Sequence, residues 1–133
     1  MDATRRDALV DELAEYDVLV EVGVGHRPAV AAALAERGHA VSATDVHERA
    51  TPDGVAFVRD DVTDPESDVY ADADAVYALN LPPELHRPTR DVADAAGADC
   101  LFTTLGTDQP AVPVERRRVR GDTLFVATDG PRR

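Results

Sequence analysis

The segment Val20-Glu21-Val22-Gly23-Val24-Gly25 carries the clearest chemical signal in the sequence. An apolar run from Val18 to Val22 leads into it, and Pro28 follows it. That order reads as a strand ending in a tight turn that opens a helix. Gly23 and Gly25 let the backbone turn sharply and let a ligand approach without a Cβ in the way. The helix behind them offers free N–H groups at its start. Glu21 places a carboxylate two residues before the first glycine. Asp45 follows Gly25 by 20 residues, at the end of a second short apolar run. A carboxylate there can accept from both hydroxyls of a ribose, the role an acid at this spacing plays in dinucleotide folds. Capping a turn is the other role open to it. A dinucleotide fingerprint would place a third glycine at position 28, for close helix–strand packing. Pro28 stands there instead, which disfavours an NAD(P)-binding enzyme.

Methyltransferases place an acid where Glu21 lies, and an adenosyl ligand fits the loop better than a dinucleotide. S-adenosylmethionine is therefore the expected cofactor, held by Glu21, Gly23, Gly25, Asp45 and one of Asp60 and Asp61. The last two end a third apolar run, where methyltransferase folds often use an acid for the adenine amino group. Adjacent carboxylates point in different directions, so at most one of them faces the ligand. A solvated acidic pair is the alternative. Amino-group methyltransferases bind the amine with Asn-Pro-Pro and an aromatic after the fourth strand. Here the segment is Tyr77-Ala78-Leu79-Asn80-Leu81-Pro82-Pro83-Glu84. Leu81 separates Asn80 from the prolines, and Glu84 replaces the aromatic. Asn80 and Tyr77 are the catalytic candidates that remain; otherwise the prolines stiffen the loop and start a helix.

His26, His39, His47 and His86 show no metal spacing, and no metal site is expected. Cys100 is the only cysteine. It excludes an internal disulfide or a multi-cysteine zinc site and reads as a small buried hydrophobe. Arg116, Arg117, Arg118 and Arg120 form the only basic cluster. They offset neighbouring carboxylates or, alternatively, meet phosphate or RNA.

The charge balance frames these sites. The 26 acidic residues outnumber 14 basic ones, the net charge is −12, and all basic residues are Arg. That self-repulsion opposes compaction at low salt. At molar salt the Debye length falls to about 3 Å and the repulsion is screened. A halophilic origin is expected. Acidity disfavours nucleic-acid partners, though less so where it is proteome-wide. No apolar run reaches the length of about 18 residues that a membrane span needs, and the N-terminus lacks an apolar signal core. A cytoplasmic, soluble protein is expected.

Residues 1–133 read as one Rossmann-like domain. Residues 1–17 hold an N-terminal helix with Leu9, Leu13 and Tyr16 on its inner face. Residues 18–64 form the glycine-loop βαβ half. Residues 65–128 form the second half. Strands are expected at 18–22, 41–44, 55–58, 75–79 and 100–104. A helix from Pro28 to Arg37 stops at Gly38. Another opens at Pro82 and Pro83, is kinked or restarted at Pro88, and stops at Gly97. A hairpin of residues 114–119 and 123–128 turns at Gly121-Asp122, and residues 130–133 form a frayed tail. The fold expected is α/β: a mostly parallel methyltransferase-type sheet with flanking helices and a C-terminal antiparallel hairpin.

The blocks at 20–25, 44–46, 58–63 (Val-Arg-Asp-Asp-Val-Thr), 76–86 and 92–98 together resemble a small uncharacterised archaeal protein family. That family has a Rossmann-like, S-adenosylmethionine-methyltransferase-like fold. The resemblance spans residues 15–105. It implies the fold and the cofactor class and supplies no reaction. The family typically has an Arg before the two prolines, where this chain has Leu81. The expected function is an S-adenosylmethionine-binding, methyltransferase-like protein. The alternative is a non-catalytic module of the same fold serving a protein or RNA partner.

Overall fold

The computed structural model describes residues 2–128. The tail at 130–133 lies outside the described residues. Seven strands form one sheet: β1 Val18–Val22, β2 Ala40–Asp45, β3 Val55–Arg59, β4 Ala75–Ala78, β5 Asp99–Phe102, β6 Val114–Val119 and β7 Asp122–Ala127. Their order is β3-β2-β1-β4-β5-β7-β6. The pairs from β3 to β5 are parallel, and β7 runs antiparallel between β5 and β6. The strand order reverses between β1 and β4, so the crevice outside their carboxyl ends is where a sheet of this kind binds its ligand.

Side chains alternate across β1 because successive strand residues face opposite sides. Leu19 joins a core with Leu9, Leu13, Val30 and Leu34. It lies under α1 (Ala3–Leu13) and α2 (Ala29–Glu36), which pack on each other. Val20 and Val22 join the core on the other face, with Tyr70, Val92, Cys100 and Phe102. It is covered by α3 (Ser67–Tyr70) and α4 (His86–Ala96). Cys100 is 3 % exposed, and burial pushes its thiol up to about 12.

Four local expectations shift. The first helix ends at Leu13, and Tyr16 lies beyond it, where its hydroxyl donates to Asp99 Oδ2 at 2.7 Å. Pro28 caps α2 rather than opening its first turn. Pro88 produces no kink. A short 3₁₀ turn, Pro83–Leu85, comes first and α4 starts at His86, so Pro88 sits in the first turn, where no N–H is needed. The hairpin turns at Arg120-Gly121, one residue earlier than expected. Both have positive φ, +38° and +78°, as the twist-matching two-residue turn requires.

Candidate functional site

β1 delivers Glu21 to the switch point, where it pairs in register with Tyr77 of β4. Both are buried, at 1 % exposure each. Burial pushes the Glu21 carboxyl up to about 8, and the facing Tyr77 hydroxyl offsets only part of that rise. Tyr77 is raised as well, by burial first and by Glu21 second. Glu21 Oε1 and Tyr77 Oη nevertheless have no hydrogen-bond partner. Their interaction is electrostatic rather than a closed hydrogen bond. An orphaned buried carboxyl oxygen at a strand end has strong need of a donor.

Gly23 and Gly25 follow directly, with φ of +70° and +57°. A Cβ at either would meet nothing within 4 Å. Backbone conformation, not crowding, requires glycine here, and the space beside the loop is open. The loop is tied to β2 twice. Val24 N donates to Thr44 O at 2.9 Å, and Gly25 N donates to Asp45 Oδ2 at 2.9 Å. Asp45 Oδ1 accepts from His47 N at 3.0 Å. Arg49 Nε lies 3.5 Å from Asp45 Oδ2, an ion pair without hydrogen-bond geometry. Arg49 Nη1 also donates to His26 Nε2 of the glycine loop at 2.9 Å. Burial alone would raise Asp45. The N–H groups of His47 and Gly25 and the Arg49 charge outweigh it and hold the carboxyl below the usual range. Asp45 thus does cap a turn, and it also anchors the glycine loop to the next strand.

Asp60 and Asp61 diverge as adjacent side chains must. Asp60 turns inward. Its Oδ1 accepts from Glu66 N at 3.0 Å and its Oδ2 from the Tyr70 hydroxyl at 2.6 Å. Both its oxygens are therefore committed to holding α3. Asp61 is exposed, and its Oδ1 accepts from Thr63 N and Oγ1, which lower its pKa. Asp60 and Asp61 both line an open hollow of about 520 Å³ with Val46, Arg59 and Asp64. Val46 is 49 % exposed there, just beyond Asp45.

The catalytic candidates separate. Tyr77 is in the core beside Glu21. Asn80 is exposed at the carboxyl end of β4 with φ +52°, a conformation uncommon outside glycine that Asn tolerates best. Its N–H donates to Thr103 Oγ1 at 2.9 Å, and Leu81 N donates to Thr103 O at 2.9 Å. The β4 and β5 ends are thereby fixed to each other. His86 braces the same region. Its Nε2 donates to Leu81 O at 2.8 Å and its Nδ1 accepts from Ala111 N at 3.0 Å, which assigns a neutral Nε2–H tautomer. Arg49, Thr103, His86 and Tyr70 were not legible as site or bracing residues. Only the placement of Arg49 four residues after Asp45 hinted at a pair. Among the described residues no group of His, Cys, Asp and Glu could hold a metal ion, and no helix is long and apolar enough to cross a membrane.

Among solved structures, an RNA methyltransferase from Salinibacter ruber in complex with S-adenosyl-L-homocysteine has a TM-score of 0.69 at 17 % identity, over 96 % of this chain and 91 % of that one. A TehB-like SAM-dependent methyltransferase from Corynebacterium glutamicum has a TM-score of 0.63 at 16 % identity, over 94 % and 86 %. The fold is thus Rossmann-like and of the methyltransferase type. A UPF0146 protein of Halobacterium salinarum is 61 % identical over 118 residues, 88 % of this chain and 92 % of that one. A UPF0146 protein of Archaeoglobus fulgidus is 48 % identical over 90 residues, 68 % and 69 %. The model of the uncharacterised protein family UPF0146 matches residues 6–130, and the chain belongs to that archaeal family.

Proposed function

We propose that the chain binds S-adenosylmethionine at the carboxyl ends of β1, β2 and β3 and passes its methyl group to an acceptor at the end of β4. The observation that carries this reading is the glycine loop, open on one side and fixed to Asp45 on the other. The residues fit the cofactor. Glu21 Oε1, buried with no donor, supplies an acceptor for the cofactor's ammonium group. Gly23 and Gly25 border the methionine part. Asp45 has a second lone pair on each oxygen for the ribose hydroxyls. Asp61, whose Oδ2 makes no hydrogen bond, serves the adenine amino group beside Val46. Asp60 lines the same hollow, but its oxygens already accept from Glu66 N and the Tyr70 hydroxyl, which makes Asp61 the better placed of the two.

The bound cofactor supplies a methyl group on a sulfonium sulfur: an acceptor lone pair forms the new bond as the S–C bond breaks with its electrons on sulfur, and the acceptor's proton leaves to solvent. The protein's part is to position two reactants. Asn80 can orient the acceptor through its amide. No acid–base pair is needed.

A ligand-binding module without catalysis is the second reading. The exposed Glu84, where amino-group methyltransferases place an aromatic, favours it. Calorimetric titration in molar KCl with S-adenosylmethionine, S-adenosylhomocysteine and NAD tests the binding. The first two should bind and NAD should not. No heat from either adenosyl ligand at millimolar concentration refutes the proposal. Incubation with methyl-labelled cofactor and cell extract then separates enzyme from module.

A further inference from the structure

We propose that a second hollow on the same edge of the sheet binds a small ligand through one phosphate or carboxylate group, and that this ligand is the methyl acceptor. The second clause rests on the function proposed above; the first stands on the hollow alone. The hollow encloses about 510 Å³ between the loop after β5 and the β6–β7 hairpin. That is within the size range of small-molecule sites. Thr104 and Gln109 form one wall, and Arg116, Arg118 and Phe125 the other. Thr104 directly follows Thr103, whose hydroxyl accepts from Asn80 N. One wall of the hollow is thus linked through Thr103 to the exposed Asn80 at the end of β4.

The arginines sort by face. In a strand, alternate side chains share a side. Arg117 points to the α1 side, where its guanidinium lies 3.7 Å from Glu12. Arg116 and Arg118 point the other way, opposite Phe125 and Thr123. Among the described residues neither has a carboxylate within ion-pair distance. The Arg116 guanidinium lies over the Phe125 ring, 5.5 Å from its centre, which orients it. Arg118 makes no contact of this kind.

In a chain with 26 acidic residues and only 14 arginines, two neighbouring exposed arginines without acid partners leave their guanidinium donors open to an anionic group. The hollow also contains Asp122, which Arg5 neutralises at 3.2 Å, and Asp108, which has no arginine. Its lining is left with one net positive charge on a molecule of net −12. That contrast selects one compact anionic group. A hollow of about 510 Å³ with a single net positive charge also suits one small anionic ligand better than a long polyanion.

The test is an amide-shift titration of the full chain with phenyl phosphate in molar KCl, with benzyl alcohol as the uncharged control. Shifts should cluster at Thr104, Gln109, Phe125 and Arg118 and be absent with benzyl alcohol. The R116Q/R118Q double variant, altered only at exposed positions, should weaken binding at least tenfold with an unchanged Tm. D108N should tighten it severalfold. Equal shifts in the double variant, or with benzyl alcohol, overturn the proposal. So does an oligonucleotide that binds more tightly than phenyl phosphate and is lost in the double variant. Titration with S-adenosylhomocysteine in the same samples separates the two clauses. Its affinity should be untouched by R116Q/R118Q. If it fails to bind the wild type while phenyl phosphate binds, the anion site stands and its role as acceptor site falls.

Discussion

Replacing Asp45 with Asn probes fold and site together. In the native chain the carboxylate accepts from two backbone N–H groups, Gly25 at 2.9 Å and His47 at 3.0 Å, and pairs with Arg49. Asn keeps one acceptor oxygen and turns an N–H₂ toward a donor. A lost hydrogen bond to a charged acceptor costs about 1.5–3 kcal/mol. For a domain of this size each kcal/mol lowers Tm by about 3–5 °C, so D45N should melt roughly 5–15 °C lower. Affinity for S-adenosylhomocysteine should fall by about ten- to hundredfold, since each 1.4 kcal/mol is a factor of ten. Both losses could arise from a slackened glycine loop. The 2′-deoxy analogue of S-adenosylhomocysteine distinguishes the causes. If Asp45 holds the ribose, the wild type should discriminate against the analogue and D45N should not. Calorimetry well below both melting temperatures measures this. An unchanged affinity in D45N, or the same penalty for the analogue in both proteins, refutes the ribose role and leaves Asp45 as a loop anchor.

Tyr70→Phe should cost about 1.5–3 kcal/mol of stability through the lost bond to Asp60, measured by denaturant unfolding, with S-adenosylhomocysteine affinity intact. Asp61→Asn should do the reverse, weakening the ligand without moving Tm. Burial raises Glu21 from 4.5 to about 8. The folded chain therefore keeps a proton that the unfolded chain has released, and stability falls as pH rises through that window. Glu21→Gln removes this loss, so its stability relative to wild type should climb by about 1.4 kcal/mol per pH unit between the two values; a constant difference from pH 5 to 8 defeats the assignment. Folding should also depend on salt, because the −12 charge is unscreened in dilute buffer. A melting temperature that stays level from molar to millimolar KCl, followed by circular dichroism, disproves this.

The elements with strong local signals were legible. The apolar runs before Gly23 and Asp45 had to be buried strands, and Gly38 and Gly97 had to end helices. Properties set by a distant partner were not. Nothing near Asp60 in the sequence announces that Tyr70 will occupy it, so its apparent equivalence with Asp61 was broken only by tertiary structure. His86 showed no pattern because its partners, Leu81 O and Ala111 N, are backbone groups that any residue supplies. Arg116 to Arg118 read as one basic cluster until strand geometry sent them to opposite faces. The hairpin turn was displaced because Arg120 accepts a left-handed backbone, which residue type alone argues against.

Cys100 makes the molecule its own reporter. A thiol that is 3 % exposed and ionises near 12 reacts with an alkylating reagent only while the β5 region is open, since the thiolate is the nucleophile. With no second cysteine to confuse the readout, the labelling rate against time measures how often the centre of the sheet breathes. The same measurement with and without an added ligand detects binding through slowed opening, with no need for an enzymatic assay or a known substrate.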